Sequence, residues 1–348
     1  MLRGRRSRFA VFALAAVLAS RAPALGASPG KVPVDVENFV RAESDSHFAR
    51  TVEQGGFGKL KHGRAPTPID QQGVVRATRD TLDSAGVFDL EAAPVKVTLP
   101  EPAGRYLSMQ ALSQDHFTVE MVDAPGTFTY TREKVGTRYL MLLVRTSLDS
   151  ERKQDLKVAR ALQDRIRIEQ QTAGRFETPQ WDRISQDRVR SELAQRAATD
   201  ITGEKYGSRS EVDPLSHLIG TAIGWGGAPR RAVIDDDVHP AANDGQTLHI
   251  LTVREVPIDG FWSVSVYNKA GYFERDDLGR YAVNSLSAKP NRDGSYTIQF
   301  GGCRPAGGNC LPIHPGWSYT VRLYRPRREV LDGSFKFPLA KPLAPAPK

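Results

Sequence analysis

The sequence has few of the residues that carry recognisable chemistry. Only two of its 348 residues are cysteines, its seven histidines are scattered, and it contains no H-E-x-x-H pair. A zinc centre needs several Cys or His ligands at short spacing, so the sequence predicts no metal site and no cofactor. The nearest approach to a cation site is the acidic run at 235–237 with His239, but an exposed acidic turn is the commoner structure for such a run.

Long apolar runs are also absent. The longest, Phe9–Ala19, has eleven residues, whereas about 20 are needed to cross a bilayer. It follows a basic segment and precedes small residues, which is the layout of a secretory signal peptide. We therefore expect residues 1–27 to be a signal peptide, cleaved after Ala24, Gly26 or Ala27. The mature protein is then expected to be periplasmic or secreted, with no transmembrane segment.

The mature chain has little excess charge of either sign. The formal charge of the full sequence is +8, but five arginines and no acids lie in residues 1–27, which leaves +3. Binding to nucleic acids depends on many Lys and Arg contacts to phosphates. The charge balance therefore argues against a nucleic-acid partner.

The two cysteines, Cys303 and Cys310, enclose six residues rich in Gly and Pro. Such a loop is well suited to a disulfide in an oxidising compartment, which is consistent with export. Two cysteines without a second pair make a poor zinc site. We predict a structural disulfide that fixes this loop.

Alternation of apolar and polar residues predicts short β-strands in two parts of the chain. The strands are separated by turns rich in Pro, Gly, Asn and Asp. Five strands within about 75 residues of the first part are typical of a β-sandwich. The predicted strands are Val95–Leu99, Arg105–Leu112, Phe117–Val122, Gly126–Thr131, Tyr139–Arg145, Thr247–Val256, Phe261–Asn268, Ser295–Phe300 and Trp317–Tyr324.

Between these two parts the apolar residues recur at helical spacing. This period predicts amphipathic helices at Glu151–Thr172 and Gln180–Thr199. A shorter helix is predicted from Asp213 and Pro214 to Gly224, with Pro in its first turn. Val34–Val52 is predicted to be a helix that precedes the first strands. Residues 224–245 are predicted to form a loop.

Candidate catalytic residues are indicated by residue type alone. Arg76, Arg79 and Asp80 form a polar cluster ahead of an apolar segment. General acid–base chemistry needs a buried carboxylate beside Arg, His or Tyr. Asp80 with His116 or His314 meets that requirement by type, and the sequence does not indicate whether these residues converge.

Aromatic side chains offer candidates for ligand binding. Trp225, Trp262, Tyr267 and Trp317 could stack on sugar rings, although most aromatic residues in strand patterns belong to the core. Arg322 lies in a basic cluster whose guanidinium groups could bind a carboxylate or phosphate. The simpler interpretation of that cluster is a charged strand edge that discourages pairing between sheets.

Several longer motifs resemble a known pair of domains. RAESDSHFARTVEQGGFGK, TPIDQQGVVRATRDTLDSAGVFDL and FTYTREKVGTRYLMLLVRT resemble the domain of unknown function numbered 1254. DGFWSVSVYNKAGYF, NRDGSYTIQFGG, NCLPIHPGWSYTVRLYRPR and LDGSFKFP resemble its usual companion, numbered 1214. The resemblance spans about residues 33–340. It implies an immunoglobulin-like β-sandwich, a small helical part and a C-terminal jelly-roll-type sandwich, in exported bacterial proteins of unestablished activity.

Two positions depart from the motifs of this family. The family motif N-D-T-x-Y reads Arg79-Asp80-Thr81-Leu82-Asp83 here, so its Asn and Tyr are missing. The family motif W-L-P reads Cys310-Leu311-Pro312, as in a subgroup with a disulfide-closed loop. Any site that relatives build around N-D-T-x-Y is therefore altered in this chain.

These observations predict a mainly β protein with a helical insert. After the signal peptide at 1–27, we expect an N-terminal immunoglobulin-like sandwich with a leading helix at 33–148. A helical region at 149–224 then leads to a jelly-roll-type sandwich at 225–340 and a disordered tail at 341–348.

The leading functional hypothesis is an exported binding or structural protein for an envelope component or carbohydrate, with an envelope glycan or small molecule as ligand. A homo-oligomeric state is left open. The alternative is a cofactor-independent periplasmic hydrolase or lyase that uses an Arg/Asp/His site. A pocket that gathers those groups would favour the enzyme, and an exposed aromatic strip or apolar patch would favour binding or assembly.

Overall fold

The computed structural model describes residues 30–149, 152–305 and 307–343. The predicted signal peptide at 1–27 and residues 344–348 of the predicted tail lie outside these ranges. None of the helices within the ranges has the length and hydropathy that a membrane crossing requires. The described chain is mostly β-sheet with a helical part, so the predicted fold class is confirmed.

The N-terminal part is a sandwich of two antiparallel sheets with strand orders β1-β2-β7-β4-β5 and β6-β3-β8. Both sheets contribute apolar side chains to one core, among them Val97 from the smaller sheet and Met109 and Leu142 from the larger. The strands are β1 Lys61–His62, β2 Thr81–Asp89, β3 Val95–Leu99, β4 Leu107–Ser113, β5 Thr118–Val122, β6 Gly126–Tyr130, β7 Tyr139–Ser147 and β8 Arg167–Gln170.

Four of the six helices in this half form a separate layer, whereas Arg132–Val135 and Lys153–Gln163 pack on the sandwich. The longest of them share an apolar cluster that includes Phe39, Val189 and Ile219. The last helix begins at Pro214, and Asp213 caps it by accepting a hydrogen bond from the Ser216 N–H at 2.8 Å, as its sequence predicts. The helices are α1 Phe39–Glu53, α2 Arg132–Val135, α3 Lys153–Gln163, α4 Arg183–Gln195, α5 Ala197–Asp200 and α6 Pro214–Gly224.

The C-terminal part is a second sandwich, with strand orders β12-β11-β15-β9 and β14-β13-β10-β16. Trp262, Phe300 and Trp317 lie in its core. Cys303 and Cys310 form the predicted disulfide. The elements are β9 Val233–Val238, β10 His249–Val253, β11 Trp262–Tyr267, β12 Ala282–Asn284, β13 Tyr296–Phe300, β14 Cys310–Leu311, β15 Ser318–Tyr324, β16 Lys341–Pro342 and a short helix, α7 Arg328–Leu331.

Three segments differ from the sequence-based expectation. The predicted helix Glu151–Thr172 ends at Gln163, and Arg167–Gln170 is the strand β8, because Ile168 packs into the N-terminal core while its backbone pairs with β3. The polar cluster at 76–81 and the apolar segment at 85–90 are joined by one continuous strand, β2, which begins at Thr81 and ends at Asp89. Lys341–Pro342 pairs with β10, so the start of the predicted disordered tail is ordered.

A fourth difference lies in the predicted loop at 224–245, which contains the strand β9. Its acidic run lies on this strand rather than in an exposed turn. Asp235 and Asp237 stand opposite Arg322 and Thr320 of β15. Cross-strand pairing with a cation and a hydroxyl stabilises the acids in a strand that their low β-propensity does not predict.

The sheet that contains β11 and β15 is buried on both faces. Trp262 and Val264 point into the C-terminal core, while Ser263, Tyr267 and Arg322 alternate with the core residues and point to the other face. That second face is covered by the segment 74–81 of the N-terminal part, and all residues of both strands are buried. The two sandwiches therefore meet through a polar sheet face.

Candidate functional site: a cavity at the domain junction

A cavity of about 520 Å³ lies where the two sandwiches and the helical part meet. This volume is within the range of about 300–1,000 Å³ that accommodates small molecules. Its walls come from the segment 74–78, from β2 and β7, from the segment 201–206 before α6, from the connection 227–230, and from β9 and β15. Every major part of the described chain thus contributes to one cavity.

The lining is rich in charge, with more cations than acids. Five cationic side chains and three acidic ones line the cavity, together with two tyrosines. A cleft lined with an excess of one charge focuses the field and attracts ligands of the opposite charge. These residues are Arg76, Arg145, Lys205, Arg230 and Arg322, then Asp83, Glu204 and Asp235, then Tyr206 and Tyr324.

All three nitrogen atoms of the Arg322 guanidinium contact a polar group of the protein. Its Nη1 donates to the Tyr267 hydroxyl at 3.0 Å and its Nη2 to the Arg76 carbonyl oxygen at 2.6 Å. Its Nε lies 3.4 Å from Asp235 Oδ1. Burial lowers the pKa of this guanidinium, but Tyr267 and Asp235 outweigh it and the net shift is upward. Since β15 is an inner strand, Arg322 is not on the edge that the simpler interpretation proposed.

Arg76 is similarly committed to the junction. Its Nε lies 3.1 Å from Asp237 Oδ2, and its Nη1 donates to Thr320 Oγ1 at 3.2 Å. Its φ of +51° is uncommon for a residue with a side chain. The Arg76 N–H donates to the Gly271 carbonyl at 2.7 Å, which holds this backbone against the C-terminal part.

Arg79 and Asp80 lie next to the cavity but are used for packing. The Arg79 guanidinium donates to the Thr67 carbonyl oxygen and lies over the Tyr281 ring, 5.1 Å from its centroid. Asp80 is fully buried. Its Oδ1 accepts a hydrogen bond from Asn284 Nδ2 at 2.9 Å and its Oδ2 accepts one from Thr78 Oγ1 at 3.1 Å. Asp80 therefore joins the N-terminal part to β12.

Two polar groups of the cavity lack a partner among the described residues. Arg145, on β7, is half-buried and stands opposite Asp83 of β2, yet no hydrogen bond or ion pair within 4 Å engages its guanidinium. Tyr324, on β15, is only 2% exposed, and no described residue accepts or donates a hydrogen bond at its hydroxyl. The hydroxyls of Tyr106 and Tyr130 are also unpartnered but are sealed in the protein, whereas the Tyr324 hydroxyl opens onto the cavity, so Arg145 and Tyr324 are the most direct indication of a ligand.

The two tyrosines of the cavity differ in their hydroxyl contacts. The Tyr206 hydroxyl donates to the Gly220 carbonyl at 3.2 Å. The Tyr324 ring stacks on Phe261 with centroids 4.1 Å apart, and Tyr106 meets it edge-on at 5.2 Å. Burial raises the pKa of Tyr324 above its ordinary value, so its hydroxyl is a protonated donor at neutral pH.

The predicted histidines lie elsewhere. His116 is 1% exposed and sits in the helical layer, where its Nε2 accepts the Gly226 N–H at 2.8 Å and its Nδ1 faces Thr221 Oγ1 at 2.8 Å. Burial lowers the pKa of His116 well below its ordinary value, so the ring is neutral. His314 lines a separate small depression with Glu274, 3.8 Å away. The residues proposed for acid–base catalysis are thus not brought together.

The aromatic candidates are also occupied in packing. Trp262 and Trp317 are core residues, 3% and 0% exposed. Trp225 stacks on His47 with centroids 4.2 Å apart and donates from Nε1 to Ser44 Oγ. Tyr267 is buried and its hydroxyl donates to the Ala77 carbonyl at 2.6 Å. Of the predicted site residues, Arg76 and Arg322 line the cavity.

Sequence reasoning missed Arg145, Lys205 and Arg230 as site residues. Arg145 had a usable signal, because it follows the apolar run of β7 in a strand whose residues are otherwise buried except for Leu143. A charge in such a strand needs a partner or a cavity. The other two lie in loops whose sequence has no distinguishing pattern. Within the described ranges, no group of three or more His, Cys, Asp or Glu residues is arranged to hold a metal ion.

The fold and the junction cavity define a class of proteins with two sandwiches and a helical layer. Residues 57–134 match the family model described as Protein of unknown function (DUF1254), and residues 230–328 match Protein of unknown function (DUF1214). The chain belongs to the family that combines these two domains, in the order that the resemblance predicted.

Two solved structures show the same fold. A protein from Vibrio parahaemolyticus matches with a TM-score of 0.69 and 16% sequence identity, over 89% of this chain and 98% of that chain. An uncharacterized protein from Burkholderia cenocepacia matches with a TM-score of 0.51 and 15% identity, over 88% of this chain and 86% of that chain. No curated protein matches the sequence. Similarity at these identities shows the fold and not the activity.

Proposed function

We propose that the protein is an exported binding protein that holds a small anionic molecule, derived from an envelope component or carbohydrate, in the junction cavity. The observation that carries this proposal is Arg145, a half-buried guanidinium in the cavity without a hydrogen-bond or ion-pair partner among the described residues. A guanidinium in such a position is suited to bidentate binding of a carboxylate or phosphate.

The remaining charges of the cavity support an anionic ligand. Arg322 and Arg230 are each opposed by an acid, Asp235 at 3.4 Å and Glu204 at 3.5 Å. Lys205 lies over the Tyr206 ring, 5.3 Å from its centroid, and no carboxylate of the described residues pairs with it. Arg145 and Lys205 therefore leave the cavity with cationic groups that an incoming anion can neutralise.

Binding is favoured over catalysis because the acid–base candidates are dispersed. Asp80 is held by Thr78 and Asn284, and His116 and His314 lie outside the cavity. The hydrolase or lyase alternative would need these groups to meet at one reacting atom. Export is supported by the basic, apolar and small-residue segments at 1–27 and by the disulfide, which persists in oxidising compartments.

The test is a thermal-shift and calorimetric screen of the purified protein against small carboxylates, phosphate, sulfate and neutral sugars. A ligand at 100 times its Kd should stabilise the fold by about 2.7 kcal/mol. Arg145→Met should weaken binding of the anions at least tenfold, and the exposed control Arg292→Met should not. Equal binding by wild type and Arg145→Met, or no binding by any anion, would overturn the proposal.

A further inference from the structure

The cavity offers a second binding group, placed on the other sandwich from Arg145. Tyr324 lies on β15, on the same face as Arg322, and its side chain reaches the cavity between Tyr106 and the strand β9. It is 2% exposed, yet the described residues provide no partner for its hydroxyl. The hydroxyl oxygen is not one of the fully buried side-chain atoms without a partner, so it opens onto the cavity, where a ligand can accept its hydrogen bond.

The groups near the Tyr324 hydroxyl in the cavity bind other partners, so none of them forms a hydrogen bond with it. Arg322 uses both of its Nη atoms on Tyr267 and Arg76. The Tyr206 hydroxyl donates to Gly220. Among the described lining residues, the Tyr324 hydroxyl is thus an uncharged donor that remains available, and Arg145 and Lys205 are the cations without a carboxylate partner.

The acids of the cavity add a third requirement on the ligand. Asp83 is exposed, and the one hydrogen bond that its carboxylate accepts comes from Thr81 Oγ1 at 2.8 Å. Asp235 contacts Arg322 through one oxygen. Ionised carboxylates accept hydrogen bonds and donate none, so they suit a ligand with hydroxyl donors. A ligand with one acid group and several hydroxyls matches all three features.

We propose that Tyr324 is a ligand-binding residue, and that the ligand is an acidic sugar whose carboxylate binds Arg145 while a ring or hydroxyl oxygen accepts from Tyr324. This inference rests on the proposed anion site. Because Arg145 belongs to β7 and Tyr324 to β15, such a ligand bridges the two sandwiches. A simple carboxylate lacks the sugar oxygens that accept from Tyr324, and a neutral sugar lacks the carboxylate that binds Arg145.

The test compares three probes, D-galacturonate, D-galactose and acetate, by calorimetry on the full purified protein. Wild type should bind galacturonate at least tenfold more tightly than either of the others. Tyr324→Phe should weaken galacturonate at least fivefold and leave acetate unchanged. The control Tyr296→Phe removes a hydroxyl from a half-buried ring outside the cavity and should change none of the affinities.

The outcomes separate this inference from the proposed function. If acetate and galacturonate bind equally, or if Tyr324→Phe binds galacturonate as wild type does, the acidic-sugar inference is wrong while an Arg145-dependent anion site stands. If Arg145→Met leaves the binding of every anion unchanged, both are wrong. A galacturonate trimer that binds more tightly than the monomer would support a polysaccharide end as the source, and tighter monomer binding would support a free sugar acid.

Discussion

The Nη2 atom of Arg322 donates to the main-chain carbonyl oxygen of Arg76 across 2.6 Å, and this contact joins the C-terminal sheet to the N-terminal part of the chain. The same guanidinium binds the Tyr267 hydroxyl, whose own proton goes to the Ala77 carbonyl. One buried side chain thus fixes the segment that forms the floor of the cavity. The arrangement explains why the outer face of this sheet is polar although it is buried.

Removing the Arg322 guanidinium should therefore destabilise the whole protein. In Arg322→Met, the Arg76 carbonyl and the Tyr267 hydroxyl lose their buried donor, which costs about 1–3 kcal/mol, whereas Asp235 is 58% exposed and is solvated by water when its cation is removed. Denaturant unfolding at pH 7 measures the loss. Arg328→Met is the control, because that side chain is 92% exposed and its removal should cost less than about 0.5 kcal/mol. A loss below 1 kcal/mol in Arg322→Met would show that the junction does not depend on this contact.

Two tyrosines of the same sheet should respond oppositely to loss of their hydroxyls. Tyr267→Phe removes one donated and one accepted hydrogen bond and should cost about 1–3 kcal/mol. Tyr324→Phe removes a hydroxyl that opens onto the cavity and has no partner among the described residues, so the ligand-free protein should keep or gain stability. Melting temperatures of the two variants provide the comparison. Equal destabilisation would mean that the Tyr324 hydroxyl has a partner in the free protein.

How much the sequence predicts depends on whether the determining contacts are local. The strand Val95–Leu99 has the predicted bounds, because apolar and polar residues alternate along it and turn residues flank it in the sequence. The helix at Pro214 begins where its cap residue indicates. The strand β9 was missed, since Asp235 is stabilised by Arg322, which comes much later in the chain.

The candidate site could not be predicted for the same reason, because the contacts that form it are not local in the sequence. Arg145 and Tyr324 are far apart in the sequence, and their relation depends on how the two sandwiches dock. Patterns within a segment carry no information on that docking. The residues with conspicuous chemistry in the sequence, Asp80 and His116, are bonded within the protein instead.

The disulfide should stabilise the C-terminal sandwich by restricting the unfolded chain. Closing the eight-residue loop from Cys303 to Cys310 contributes about 2.5 kcal/mol on the chain-entropy model. Cys303→Ser with Cys310→Ser should lower the unfolding free energy by about that amount, and reducing agent should then have no further effect. The mass of the wild-type protein should increase by two hydrogen atoms when reductant is added. Two free thiols in protein from the periplasm would contradict the pairing there.

Export predicts a processed N-terminus. Cleavage after Ala24, Gly26 or Ala27 gives a protein that begins between Leu25 and Ser28. N-terminal sequencing of protein expressed with its natural N-terminus in a Gram-negative host tests this. Fractionation of the same cells should place the protein in the periplasm or the medium. Soluble protein that retains Met1 would contradict the proposed signal peptide.

Acid should weaken the helical layer through Glu43, whose carboxylate is 5% exposed. Burial alone would raise its pKa, but hydrogen bonds from His47, Arg190 and Gln186 outweigh burial and lower the pKa to about 2, from an ordinary value of 4.5. Arg190 Nη2 and Gln186 Nε2 both lie 2.7 Å from Glu43 Oε2. The folded state therefore keeps this carboxylate ionised at a pH where the unfolded state protonates it.

The sign of the pH dependence follows directly from that difference. Above about pH 4.5 the carboxylate is ionised in both states and its contribution is complete, whereas between pH 4.5 and 2 the unfolded state gains a proton and about 3 kcal/mol is lost. Unfolding free energies measured across this range should fall less steeply in Glu43→Gln than in wild type. The control Glu255→Gln, whose side chain is 81% exposed, should follow the wild-type profile. Parallel profiles for Glu43→Gln and wild type would exclude Glu43 as a source of the acid sensitivity, because the amide of Gln does not take up a proton between pH 4.5 and 2.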